Sequence, residues 1–306
     1  MRAVRLRRDR VVVALDRRVY TYNFADLTLV DHVETTENPR GLCALCALPS
    51  NNVLAVPGAV PGRVRVELYD LKKTTLIAAH ETALACIALN PNGSRLATAS
   101  EKGTLIRVYD TFSGELLQEL RRGTDKADVY CLAFNASSTM LAVTSDKGTV
   151  HIFKLKDQSA ANVGDTPNSS STSGASRLAS APPTAAELSD SAQSSSISTS
   201  TSAREAAPVN NSLSSNQALP EGLSSEESTK AGGANFNFIK AIMPRYFSSE
   251  WSFAQFRIPE GKSICAFGSE PNTIVVVSAD GSFFKANFEK GGEATRIAYA
   301  SIVANE

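Results

Sequence analysis

Apolar and polar residues alternate in short runs along most of this chain. Val11-Val12-Val13-Ala14-Leu15, Val53-Leu54-Ala55-Val56, Leu96–Ala99 and Thr273–Val277 are rich in β-branched side chains, and turn residues such as Asn90-Pro91-Asn92-Gly93 separate them. Such runs predict strands, because a pleated backbone sends successive side chains to opposite faces. Longer stretches with apolar residues at i, i+3 and i+4, the mark of amphipathic helices, are not found among them.

The runs recur. Cys46-Ala47-Leu48, Cys86-Ile87-Ala88-Leu89, Cys131-Leu132-Ala133-Phe134 and Cys265-Ala266-Phe267 are versions of one motif, with 40 residues from Cys46 to Cys86 and 45 from Cys86 to Cys131. That period fits four-stranded propeller blades. Units can be read at Ala3–Glu34, Gly41–His80, Thr82–Arg122, Asp128–Lys156 and Ile264–Val303, and Tyr69-Asp70 and Tyr109-Asp110 stand where WD repeats carry Trp-Asp. The predicted fold is all-β, a WD-repeat-like β-propeller with about five blades.

The fourth unit supplies three strands and stops. Residues 157–235 are dominated by Ser, Thr and Ala, as in Ser194-Ser195-Ser196-Ile197-Ser198-Thr199-Ser200. So few large apolar groups cannot offset the entropy of ordering, so the stretch reads as a disordered insertion between propeller segments 1–156 and 236–306. Phe236, Phe238, Ile239, Ile242 and Met243 then form an apolar patch with period-three spacing, ended by Pro244. It can pack on the blade or touch a membrane, and packing is the simpler reading. Trp251–Ile258 alternates strictly and predicts the missing fourth strand.

Charge adds little. Lys and Arg number 31 and Asp and Glu also 31, so the whole chain has no pull on nucleic acid or acidic lipid, and anion binding must come from local clusters. No charged-then-apolar leader pattern opens the chain, and no apolar run reaches membrane-spanning length, so a soluble cytoplasmic protein is expected. The cysteines read as small buried residues of the repeat; Cys43 and Cys46 form a C-x-x-C with no second pair at zinc-site distance. With no nucleophile–histidine–carboxylate pattern, no glycine-rich phosphate loop before a helix and no metal set, neither an enzyme nor a bound cofactor is expected.

One stretch stands out. Leu120-Arg121-Arg122-Gly123 closes an alternating run, and it lies between two similar loops, Ser100-Glu101-Lys102-Gly103-Thr104 and Ser145-Asp146-Lys147-Gly148-Thr149. Each loop offers two hydroxyls, a lysine and a glycine turn, chemistry suited to phosphate oxygens. On a strand the two arginines diverge, which predicts two phosphate sites, one per arginine. The bland readings are a solvated strand end, ordinary β-turn residues at Ser100, Thr104, Ser145 and Thr149, and solvent-facing Lys102 and Lys147.

The Arg-Arg-Gly motif between these loops resembles the PROPPIN family, and Leu120 in place of the commoner Phe is similar to its Leu-Arg-Arg-Gly subgroup. The resemblance implies a seven-bladed propeller that binds phosphatidylinositol 3-phosphate and the 3,5-bisphosphate at two rim sites. It further implies a long loop that dips into the bilayer, autophagy proteins as partners, and residence on phagophore, autophagosome or endosome membranes. Arg121, Arg122, Ser100, Lys102, Thr104, Ser145, Lys147 and Thr149 correspond to the headgroup sites. His80 and His151 fall near them, and either is equally readable as a structural histidine. Five units against seven predicts an incomplete ring with apolar end faces. The competing function is a WD-type scaffold that binds only proteins.

Overall fold

Turn residues and period-two alternation divide the chain into hairpins, and consecutive hairpins pair into sheets. The computed structural model describes residues 1–156 and 249–302, and among these there are five sheets and a single 3₁₀ turn at Tyr69–Leu71. Blade one contains β1 (Ala3–Leu6), β2 (Arg10–Ala14), β3 (Arg18–Asn23) and β4 (Leu29–Glu34); blade two contains β5 (Ala44–Leu45), β6 (Val53–Pro57), β7 (Arg63–Leu68) and β8 (Lys73–Ala78). Blade three contains β9 (Leu84–Leu89), β10 (Arg95–Ser100), β11 (Leu105–Asp110) and β12 (Leu116–Arg121). Blade four contains β13 (Val129–Phe134), β14 (Met140–Ser145), β15 (Thr149–Lys154) and β17 (Ala254–Arg257). Blade five contains β18 (Ser263–Phe267), β19 (Thr273–Ser278), β20 (Ser282–Asn287) and β22 (Thr295–Ser301).

Two short strands cap outer edges in parallel register: β16 (Glu250–Trp251) on β12, and β21 (Gly292–Glu293) on β17. The alternation over Trp251–Ile258 therefore does not make one strand. Trp251 joins blade three, and pairing with blade four begins at Ala254. The reason is local. The outer edge of β12 offers unpaired backbone groups, and buried Gln118 on that strand donates from Nε2 to Glu250 Oε2 at 2.8 Å. Gln118 also donates to the Lys154 carbonyl at 3.1 Å and accepts from the Lys156 amide at 3.1 Å, while Lys156 Nζ meets Glu250 Oε1 at 2.5 Å. The reading of 157–235 as an insertion and the patch at Phe236, Phe238, Ile239, Ile242 and Met243 lie outside the described residues.

From blade one to blade five, facing apolar surfaces are buried against each other at four junctions. Val12, Val19 and Val33 of blade one pack on Leu54 and Val56 of blade two. Val64, Val66 and Ile77 meet Leu84, Leu96 and Tyr109. Ile106 and Leu120 meet Leu141 and Phe153. Ile152 and Phe256 meet Ile274 and Phe284, with Phe256 and Phe284 edge to face at 6.2 Å. Among the described residues no buried cluster joins blade five to blade one. The outward faces there carry Leu6, 68% exposed, and Ile264, 62% exposed, with Ile264 cross-strand from Val277 and Val277 from Phe283. Among the described residues four junctions are sealed, and the one between blade five and blade one is not.

This difference between junctions is measurable. Phe153→Ala empties a fully buried position between blades three and four and should cost ~3–5 kcal/mol. Ile264→Ala, on the open face, should stay within about 1 kcal/mol. Chemical denaturation of both variants checks the pair; equal losses would mean that the open face is packed in solution.

Candidate functional site

β12 positions the arginine pair. Leu120, fully buried, faces blade four. Alternation turns Arg121 away from it, and Arg122 continues the ladder, its amide donating to the Thr104 carbonyl at 2.9 Å. The two guanidinium groups lie among different partners. Arg121 Nε donates to Ser249 Oγ at 2.9 Å, beside β16, and its backbone is in register with Trp251. Arg122 Nε donates to the Gly103 carbonyl at 2.7 Å and Nη2 to the Asp125 carbonyl. Both arginines are buried, at 7% and 6% exposure. Burial pulls the Arg122 pKa down, and the negative charges of Asp146 and Asp125 oppose this.

The two loops are built alike. The Ser100 carbonyl accepts from the Gly103 amide at 2.9 Å, closing the first turn. Gly103 holds φ +62°, and a Cβ there would lie 1.9 Å from the Ala127 carbonyl oxygen, so only glycine fits. Gly148 occupies the same place in the second turn, at φ +58° with the Ile258 oxygen 2.6 Å from a Cβ. Ser100 and Ser145 are buried. Ser145 Oγ accepts from the Lys147 amide at 3.4 Å, and Thr149 Oγ1 donates to the Lys147 carbonyl at 3.4 Å. The lysines are more open: Lys102 Nζ reaches Glu81 at 3.5 Å and Lys147 Nζ reaches Asp146 at 3.4 Å. Thus Arg122 touches the first loop through Gly103 and feels the second through Asp146.

His80 and His151 each belong to one of two clusters. His151 on β15 is buried, stacks on Phe153 at 6.2 Å between ring centroids, and shares a 3.4 Å bond between Nδ1 and Ser252 Oγ. Burial and then the charge of Arg122 push its pKa down to about 4. His80, between β8 and β9, shares a 2.9 Å bond between Nε2 and Thr98 Oγ1, and burial followed by the charge of Arg107 pushes its pKa down to about 4. Both imidazoles are therefore neutral at physiological pH.

The second cluster contains residues that motif reading passed over. Thr98, Arg107 and Glu119 sit in register across β10, β11 and β12. Arg107 Nε donates to Glu119 Oε2 at 2.9 Å, and Nη1 donates to the Ala79 carbonyl at 2.6 Å. Cross-strand register was the signal that could have found them. Ser249 and Ser252 had none, since their placement depends on where the chain returns after residue 248. Among the described residues no group of three His, Cys, Asp or Glu could hold a metal ion, and no helix is long and apolar enough to cross a membrane.

Known proteins match this architecture. The family model PROPPIN matches residues 1–236. The chain is 35% identical to Autophagy-related protein 18e of Arabidopsis thaliana over 94% of its own length and 59% of the relative's. It is 31% identical to Autophagy-related protein 18 of Emericella nidulans over 96% of its length and 76% of the relative's. Kluyveromyces lactis Hsv2 superposes with a TM-score of 0.61 at 18% identity, covering 98% of this chain and 73% of that one, a likeness of fold. On the family match and the identity to these relatives, this chain belongs to the PROPPIN family.

Proposed function

We propose that this protein is a phosphoinositide-reading membrane adaptor of autophagy, cytoplasmic and peripheral on membranes that carry phosphatidylinositol 3-phosphate or the 3,5-bisphosphate. One observation carries the reading: consecutive guanidinium groups diverge from the end of β12 into two separate sets of polar groups. Arg121 serves one headgroup and Arg122 the other. Lys102 and Lys147, exposed beside the buried hydroxyls of Ser100 and Ser145, supply mobile charge at the rim. Thr104, Thr149, His80 and His151 complete the two linings. The residues Phe236, Phe238, Ile239, Ile242 and Met243 would touch the bilayer, and autophagy proteins would be the partners, as the names of the relatives support. The protein works by binding and not by catalysis.

Burial of both guanidinium groups favours a second reading, in which they are fasteners inside a protein-binding scaffold. Vesicle flotation with and without 3-phosphorylated lipid separates the two. A charge-assisted bond contributes ~1.5–3 kcal/mol. Arg121→Ala with Arg122→Ala should therefore weaken recruitment by roughly 10²–10⁴, while each single variant keeps partial binding. Lipid-independent flotation, or a double variant that floats like the parent, would sink the adaptor reading.

The neutral histidines give a pH dependence. An unfolded chain takes up protons at these side chains below about 6.5, whereas the folded protein does so only near pH 4. Between those values acid favours the unfolded state, so stability is full above pH ~6.5 and falls as pH drops toward 4, with up to ~3 kcal/mol from His151 alone. A calorimetric series should show this fall, and His151→Phe should remove the share of His151 and leave that of His80. A phosphate on Arg122 would offset the charge facing His151, so a soluble 3-phosphorylated inositol headgroup should also lessen the fall.

A further inference from the structure

The inner strands of the blades repeat a thiol contact. Cys46 Sγ donates to the Pro91 carbonyl at 3.2 Å, Cys86 Sγ to Tyr130 at 3.9 Å, and Cys131 Sγ to Cys265 at 3.6 Å. Each bond runs from one blade to the next. At the third, and only there among these bonds, the acceptor residue is itself a cysteine. Both side chains point into the same junction: Cys265 is buried in the cluster between blades four and five, and Cys131 packs against that cluster. All five cysteines are free thiols in this structure.

We infer that Cys131 and Cys265 form a peroxide-sensitive pair that closes to a disulfide across the junction of blades four and five. The two differ as such a pair should. Cys131 is half-buried and can meet the oxidant, whereas Cys265 is nearly enclosed and acts as the resolving thiol. A hydrogen bond from the Cys265 thiol draws the Cys131 pKa below its ordinary value, which raises the thiolate fraction, and the same bond pushes Cys265 up. Access comes from the partial exposure of Cys131 itself. The cavity of about 730 Å³ nearby is lined by Cys43 and Cys86 but by neither thiol of the pair, which face the junction between blades four and five.

The chemistry balances. Cys131 thiolate attacks one peroxide oxygen, the O–O bond breaks, and hydroxide leaves a sulfenic acid on Cys131. Cys265 Sγ then attacks that sulfur; the S–S bond forms, the S–O bond breaks, and the departing hydroxide takes the Cys265 proton as water. Overall two thiols lose two electrons and two protons, and one peroxide becomes two waters. The crosslink joins residues far apart in the chain, so it restricts the unfolded state strongly.

The test uses the full 306-residue chain, sub-millimolar hydrogen peroxide, thiol alkylation and peptide mapping. The expected result is loss of two alkylatable thiols, one non-reduced Cys131–Cys265 peptide, reversal by dithiothreitol, and a thermal midpoint raised by roughly 5–15 °C. Cys86→Ser should keep the crosslink, and Cys131→Ser should leave Cys265 reduced. If the serine variant fails to fold, Cys131→Ala and the wild-type map decide the matter. Five retained thiols, a Cys86–Cys131 peptide, or over-oxidised Cys131 without a crosslink would overturn the inference.

Discussion

No sheet in this molecule has an apolar interior of its own; each one is two layers of side chains with backbone between. Burial happens only where the face of one blade meets the face of the next, so every blade depends on its neighbours for the ~25 cal/mol per Å² that apolar contact supplies. That dependence explains why strands such as β6 and β10 are buried at every position, while β22 is exposed along its length. It also explains the use of buried arginine away from the rim. Arg7 of blade one donates to the Cys46, Leu48 and Asn51 carbonyls, and Arg95 of blade three donates to the Ser138 and Lys156 carbonyls. In both cases a guanidinium of one blade ties itself to carbonyls of the next.

Arg121 and Arg122 use the same chemistry at a place where it does more. At the end of β12 the apolar contact stops at Leu120, and hydroxyls, carbonyls and neutral imidazoles replace it. A guanidinium held there is already oriented and partly stripped of water, so an arriving anion does not have to freeze it. A neutral His151 fits this setting, since a further positive charge would raise the cost of keeping Arg122 buried. Asp146 and Asp125 provide partial compensation for the charge of Arg122.

Most of the fold was legible because it rests on periodicity. Turn residues and two-residue alternation located four blades directly, and the cysteine spacing tied them together. The second strand in Trp251–Ile258 was hidden, because alternation fixes which face a residue takes but not which sheet edge it joins; Gln118 decides that through Glu250. The arginine pair and glycine turns were legible as motifs with fixed backbone demands. Thr98, Arg107 and Glu119 were not, since they become neighbours only through the register of three strands. The histidines were visible, but their depressed pKa values depend on burial and on Arg107 and Arg122 standing nearby.

The clasp at Gln118 has a consequence for how this chain can change over time. One side chain holds the amide of Lys156 and the carboxylate of Glu250, so the two points where the chain leaves and re-enters the propeller are fixed by the blades themselves. Of the groups in this clasp, one is a backbone amide that no substitution except proline removes, so it can otherwise drift only at Gln118 and Glu250. A change at Glu250 would lose one of the two points, and a change at Gln118 would lose both at once.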